Sequence, residues 1–248
     1  MLICIAQTRA IKGDVSANSA KHLELIDHAL RNKAQLIVFP ELSLTGYEPE
    51  LADSLAMTLD DPRLDVFEQC SNDRNIALAI GIPLRHPNGV SISLAVFQPY
   101  QPRQVYSKNY LHEDELPFFV PGPSDVNFNW STPKIALAIC YELTVPQHSH
   151  DAFEQGAEMY IASSVKSVNG IAQALSRLSD IARQYSMITM LSNCVGVTGG
   201  YDCPGGSCAF DAHGRLIAQL DKEHEGILVI DSDTLEFSKL QITSNITA

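Results

Sequence analysis

Apolar residues along this 248-residue chain fall into two alternating rhythms. Short runs dense in aliphatic and β-branched residues, at Leu2 to Ala6, Gln35 to Phe39, Ile76 to Ile82, Ile135 to Ile139, Met159 to Ala162 and Met187 to Leu191, have the length and composition of buried strands. Between them lie segments whose apolar side chains recur at three and four, the period of one helix face. Ala20, Leu23, Ile26, Leu30 and Ala34 mark a helix over Ser16 to Lys33, with Ser16 or Asn18 as its cap. Leu64, Phe67 and Cys70 mark another over Asp65 to Arg74, and Ile171, Leu175, Leu178, Ile181 and Ala182 a third over Ile171 to Tyr185. A short helix closing on glycine is expected over Asp151 to Gly156.

Two segments change the picture. Val90 to Gln98 and Gln104 to Ser107 are separated by turn residues, a hairpin signature, so the sheet is expected to be mixed. The last third, punctuated by Gly205, Gly206 and Gly214, reads as short strands at Ser207 to Phe210, Leu216 to Gln219 and Ile227 to Ile230. The pattern contains no repeat, low-complexity tract or linker, and one α/β domain over residues 1–248 is expected.

Composition narrows the function. With 45% hydrophobic and 19% charged residues the chain reads as an ordinary soluble globular protein. The net charge of −12 disfavours nucleic acid and anionic membranes as partners and points to a small-molecule substrate. No apolar run approaches the ~18 residues of a membrane span, and the start lacks the marks of a secretory leader. Six dispersed cysteines without a CxxC pair read as reduced thiols, so a cytoplasmic setting is expected. His148 with His150, and Cys203 with Cys208, lack zinc-like spacing, so no metal is expected.

Reactive side chains stand where strands end: Glu41 after QLIVF and Pro40, Lys108 after Val105 to Ser107, and Cys140 after IALAI. Ligands of open α/β sheets gather beyond the carboxyl ends of strands, where a rigid scaffold leaves loop side chains reachable. Cys140 alone reads equally as a small core hydrophobe. Its position where the chain must turn, with the Tyr141 amide beside it, suits an exposed nucleophile. Glu41 reads as a solvated carboxylate or as a partly buried one whose raised pKa makes it a general base, and Lys108 as a surface lysine or a site cation.

Taken together, FPELSLTGY (Phe39 to Tyr47), YSKNYLHEDELPFFVPG (Tyr106 to Gly122), ICYEL (Ile139 to Leu143) and GGSCAFDAHG (Gly205 to Gly214) resemble the carbon–nitrogen hydrolase, or nitrilase, superfamily, in order over nearly the whole chain. The resemblance implies a four-layer α-β-β-α sandwich with two mixed β-sheets, paired into homodimers or larger homo-oligomers, working without a cofactor. It implies that Cys140 is the nucleophile, Glu41 the general base and later acid, and Lys108 the cation facing the tetrahedral intermediate, with the Tyr141 amide beside it. Glu115, in an E-x-x-x-F pattern with Phe119, is implied as a second site glutamate, ahead of Glu113. Tyr47, Glu142, Ser164, Val165 and Lys166 are the expected pocket.

Three segments depart from the family pattern. Val145-Pro146-Gln147 lacks the usual carboxylate after the nucleophile, Ser163 to Lys166 replaces a Pro-aromatic pair, and Gln184 stands for a helix glutamate. If Lys166 faces the pocket it would pair with a distal carboxylate and favour ω-amides of dicarboxylic acids. The expected activity is therefore hydrolysis of a small linear amide, ω-amidase-like, through a thioester. The alternatives are an N-carbamoyl amine, then a nitrile, a glutaminase module serving a separate synthetase, and a non-catalytic scaffold of the same fold.

Overall fold

The computed structural model describes residues 1–122 and 133–242. Strands β1 (Leu2–Gln7), β2 (Leu36–Val38), β3 (Ala77–His86), β4 (Gly89–Phe97), β5 (Gln104–Ser107), β13 (Glu225–Asp231) and β14 (Phe237–Ile242) form one sheet, in the order β14-β13-β1-β2-β3-β4-β5. Strands β6 (Ile135–Ile139), β7 (Met159–Ser164), β8 (Ile188–Asn193), β11 (Cys208–Phe210) and β12 (Leu216–Gln219) form the second, in the order β12-β11-β8-β7-β6. A separate hairpin joins β9 (Val195–Thr198) to β10 (Tyr201–Pro204). β1-β2-β3 and β6-β7-β8 are parallel and the other pairings antiparallel, so both large sheets are mixed, as the hairpin signal required.

Three apolar layers hold the sandwich. Ile3, Ile5, Leu36, Val38, Leu94, Leu137, Ile139, Ile161 and Met190 meet between the sheets. The outer face of the first sheet packs on α1 (Val15–Arg31) and α3 (Asp65–Arg74) through Leu25, Ile26, Phe39 and Phe67. The outer face of the second packs on α4 (Pro146–Glu154) and α5 (Ile171–Tyr185) through Ala152, Leu178 and Ile181. Helix α2 (Ala52–Leu55) is short and carries no stripe that a periodicity reading can find. Burying such faces against one another, at roughly 25 cal/mol per Å² of apolar surface, is the main term that fixes this layering.

Several boundaries differ from the sequence reading. Helix α1 is capped by Asp14, which accepts from the Ala17 amide, while Asn18 is buried and bonds Ile11 and Leu44 backbone groups instead. Helix α4 begins at Pro146 rather than Asp151, because proline suits the first helical position, where no N–H is needed. Strands β9, β10 and β14 are exposed on one or both faces and lack a clean apolar signal.

Two features tie the sheets together at the carboxyl ends of their parallel strands. Ser163 Oγ donates to the Phe39 carbonyl at 2.8 Å, and Ser192 Oγ lies 2.7 Å from the Ala6 carbonyl and 3.1 Å from that of Val38. Alongside them the chain bridges from Thr8 to Cys194, with Val195 N donating to Thr8 O at 2.9 Å.

Candidate active site

Glu41 leaves β2 through Pro40 into a tight turn that lies against β3. Leu44 N donates to Gly81 O at 3.0 Å, and a Cβ on Gly81 would sit 2.3 Å from the Pro40 carbonyl oxygen and 2.5 Å from Leu42 N, so only glycine admits the turn there. Lys108 extends β5 by one residue, its N–H donating to Ile92 O at 2.8 Å and its carbonyl accepting from Gly122 N at 2.9 Å. Cys140 begins a 3-10 turn (Cys140–Thr144) directly after β6 and adopts φ +46°. A left-handed backbone on a residue with a Cβ costs roughly 1–2 kcal/mol. The reversal aims the side chain out of the strand end, and the Tyr141 N–H falls in the first turn, where helical N–H groups lack partners within the helix.

The three side chains meet between the sheets. Lys108 Nζ donates to Glu41 Oε1 at 2.8 Å and to Glu115 Oε1 at 2.6 Å, with all three residues buried. Two of the ammonium's three protons are thereby used, leaving one for a further acceptor. Glu41 Oε2 accepts from Val165 N at 3.1 Å, and the Cys140 thiol lies 3.6 Å from the Val165 carbonyl. Val165 thus touches Glu41 and Cys140 through its two backbone groups. Glu115 is held in turn by the Tyr47 hydroxyl at 3.1 Å and by His112 N at 2.8 Å.

This packing sets the proton affinities. Burial raises the Glu41 pKa, Lys108 opposes the rise, and repulsion from Glu115 adds to it. The Cys140 thiol is pushed up to about 11, first by burial and then by Glu41, against the pull of Lys166 and Lys108. Burial disfavours the Lys108 ammonium, yet Glu41, Cys140 and Glu115 outweigh it, and its pKa rises. The resting arrangement is a neutral thiol near a carboxylate with raised proton affinity, under a permanent cation.

A narrow pocket starts at Glu41 and is walled by Thr8, Ser43, Tyr47, Val165, Cys194, Val197 and Thr198, among others, while Cys140 and Lys108 lie outside that wall. Of the expected pocket residues, Tyr47 and Val165 line it. Ser164 is fully buried with no partner for its hydroxyl and is not part of that wall. Lys166 is half-buried beside the centre: its backbone N–H and carbonyl are both bonded by Asn193, and its charge acts on Cys140. Glu142 is the clear correction. It is fully buried and turned back into the nucleophile turn, accepting from Ile139 N, Asn109 N and the Tyr106 hydroxyl, so it cannot meet substrate. Tyr141 is half-buried with its ring edge-on to His112, while Glu113 is exposed.

The sequence reading missed Thr8, Cys194 and Thr198. Thr8 directly follows β1 and Cys194 directly follows β8, so the strand-end rule that singled out Glu41 and Cys140 applies to them equally. No group of three or more His, Cys, Asp or Glu side chains is placed to hold a metal among the described residues, all six cysteines are free, and no described helix is long and apolar enough to cross a membrane.

A half-buried cysteine, a buried glutamate and a buried lysine gathered where two mixed sheets of an α-β-β-α sandwich meet define a class, and comparison with known proteins names it. The chain belongs to the carbon–nitrogen hydrolase family, whose model matches residues 2–237. It is 25% identical over 243 residues to an (R)-stereoselective amidase from Pseudomonas sp, covering 96% of this chain and 88% of that protein. It is also 25% identical over 249 residues to a glutamine-dependent NAD(+) synthetase of Aquifex aeolicus, covering 97% of this chain but only 44% of the synthetase, so it spans less than half of that relative. In fold it matches the amidase from Nesterenkonia sp. AN1, solved with butyramide, at TM-score 0.85 and 24% identity, over 93% of this chain and 90% of that one. The same amidase has been solved with the acetamide moiety of fluoroacetamide added covalently at its active site cysteine.

Proposed function

We propose that this carbon–nitrogen hydrolase is an amidase acting on small linear amides through a thioester on Cys140. The observation that carries the reading is the Lys108 ammonium bridging Glu41 and Glu115 beside a cysteine at a strained strand end. Glu41 takes the thiol proton as sulfur attacks the amide carbon, and the carbonyl oxygen becomes an anion facing the spare Lys108 proton and the Tyr141 N–H. Collapse breaks the C–N bond, and Glu41 returns the proton to the leaving ammonia. A water molecule, deprotonated by Glu41, then attacks the thioester carbon. The carboxylate departs and the proton passes back to sulfur. Glu115 orients Lys108 and keeps a second negative charge on it.

Within that class an ω-amide of a dicarboxylic acid is the first substrate. Lys166 makes no ion pair among the described residues, so its charge is open to a distal carboxylate. Relatives named for their dependence on glutamine, itself an ω-amide, support the same direction. A neutral short-chain amide is the second reading, favoured by a pocket walled by threonine and valine with no cation among its lining residues. Pairing of protomers is part of the proposal, supported by Phe153, 43% exposed and stacked on Tyr185 on the outer helices. Size-exclusion chromatography with light scattering reads it directly.

The deciding experiment measures ammonia released from ω-amides including glutamine, neutral amides, N-carbamoyl amines and nitriles, with Cys140→Ala beside the wild type. Release that the variant abolishes is expected, greatest with ω-amides. Carbon dioxide released alongside ammonia would move the activity to N-carbamoyl amines, and a wild type silent on every compound would overturn the amidase reading.

A further inference from the structure

Glu142 is buried beneath Cys140 with no lysine or arginine paired to it among the described residues. Its two oxygens are taken by donors from three places: strand β6, strand β5 and the loop that follows Lys108. Oε2 accepts from Ile139 N at 2.8 Å and from the Tyr106 hydroxyl at 2.6 Å, and Oε1 accepts from Asn109 N at 2.7 Å and lies 3.4 Å from Tyr110 N. Ile139 immediately precedes Cys140 and Asn109 immediately follows Lys108. One carboxylate therefore grips the residue before the nucleophile and the residue after the cation.

Behind it the hydrogen bonding is complete. The Tyr106 oxygen also lies 2.7 Å from His148 Nε2, and His148 Nδ1 lies 2.8 Å from the Tyr160 hydroxyl. With His148 neutral and protonated on Nε2, the chain runs in one sense: Tyr160 donates to His148, His148 to Tyr106, and Tyr106 to Glu142. Burial lowers the His148 pKa, which favours that neutral form. Removing a carboxylate from water is costly, and an apolar residue of similar size would fill this space without that cost. What an apolar residue cannot do is hold two backbone segments at fixed hydrogen-bond distances.

We propose that Glu142, oriented by Tyr106 and His148, is a positioning residue that sets the Cys140 turn against the Lys108 loop, so that nucleophile and cation reach one reacting carbon together. The inference rests on the roles assigned above to Cys140 and Lys108. It touches no substrate and acts only through those two residues. Glutamine in its place offers one acceptor oxygen and turns an NH₂ group toward N–H donors, so one of the two grips must open. Displacements of about 1 Å at a reacting centre cost on the order of 100-fold in rate.

The test compares wild type, Glu142→Gln, Tyr106→Phe and a Cys140→Ala control. Steady-state kinetics on the best amide of the panel are normalised to thiol titrated by an electrophile, so that misfolded protein does not count. The rate of Cys140 alkylation by iodoacetamide is followed against pH, with the reaction of Cys140→Ala subtracted. For Glu142→Gln, kcat per titrated thiol is expected to fall about 100-fold with KM within about threefold, and for Tyr106→Phe about 10-fold in the same pattern. The alkylation midpoint is expected to move to higher pH in both, because a displaced Lys108 supports the thiolate less. The proposal is overturned if Tyr106→Phe, and Glu142→Gln where it folds, keep kcat per titrated thiol within about threefold of wild type with an unmoved alkylation midpoint. If the wild type cleaves none of the amides, the functional reading fails, and the alkylation profile alone decides the positioning role.

Discussion

The reacting centre and the pocket beside it are built in opposite ways. At the centre, Lys108, Glu41 and Glu115 are each held by defined partners, and a glycine, two backbone amides and a tyrosine fix where they stand. In the pocket, Thr8 is buried with no partner for its hydroxyl, and the side chains of Val165, Val195 and Val197 are apolar and offer no hydrogen bond. The difference teaches which part of the activity this scaffold specifies tightly. Under the proposed mechanism, charge at the C–N bond is over-determined, whereas recognition of the acyl group rests on a few contacts that a substrate must complete.

The largest effect should come from breaking the over-determined half. Lys108→Gln leaves two buried carboxylates facing each other without a cation, and kcat is expected to fall by at least ~10⁴-fold, measured as ammonia release. Gly81→Ala tests whether the turn matters as much as the residue on it. A methyl group 2.3 Å from the Pro40 carbonyl must push Glu41 out of place, and a loss of about 100-fold in kcat with circular dichroism unchanged is the expected result. Retention of full activity in that variant would show that Glu41 tolerates slack.

A pH profile sharpens the same half. As the proposed base, Glu41 must be ionised to accept the thiol proton, and burial raises its pKa, so kcat/KM should rise with pH along a limb lying above the ordinary carboxylate value of about 4.3. Glu115 contributes to that raised value by repulsion, so in Glu115→Gln the limb should move to lower pH while the maximal rate also drops. On the permissive half, Lys166→Ala should lower kcat/KM by about 10-fold for ω-amides and leave neutral amides unchanged; equal change on both would remove Lys166 from recognition. The smallest effect is expected of Thr8→Val, which deletes an unpartnered buried hydroxyl. Thermal stability should hold or improve, and relative kcat/KM across the panel should shift by less than about 10-fold.

How much of this was legible follows the same divide. QLIVF-Pro-Glu and IALAI-Cys announce themselves because a buried strand has a dense apolar code and its end is marked by a proline or a reactive residue. The meeting of Glu41, Lys108 and Cys140 was reachable through the family resemblance, not through spacing, since 67 residues separate Glu41 from Lys108. Backbone roles were invisible: nothing in the letters Val165 says that its N–H serves Glu41. Glu142 was misread for a related reason. A carboxylate two residues after the nucleophile faces the pocket or the turn beneath it according to the turn's dihedral angles, and the left-handed Cys140 sends it beneath.

The serine hydroxyls that cross between the sheets also bear on the order of folding. Glu41 and Lys108 belong to the first sheet and Cys140 and Val165 to the second, with Ser163 bonding the carbonyl just ahead of Pro40 and Glu41. Each sheet folded alone carries an incomplete set, so no partly assembled chain can combine the proposed base, cation and nucleophile. Closure of contacts this distant in sequence is slow, and it comes after local helices and hairpins have formed. Recovery of activity during refolding should therefore be a late, single event, and the enzyme's own turnover becomes a clock for the docking of its two halves.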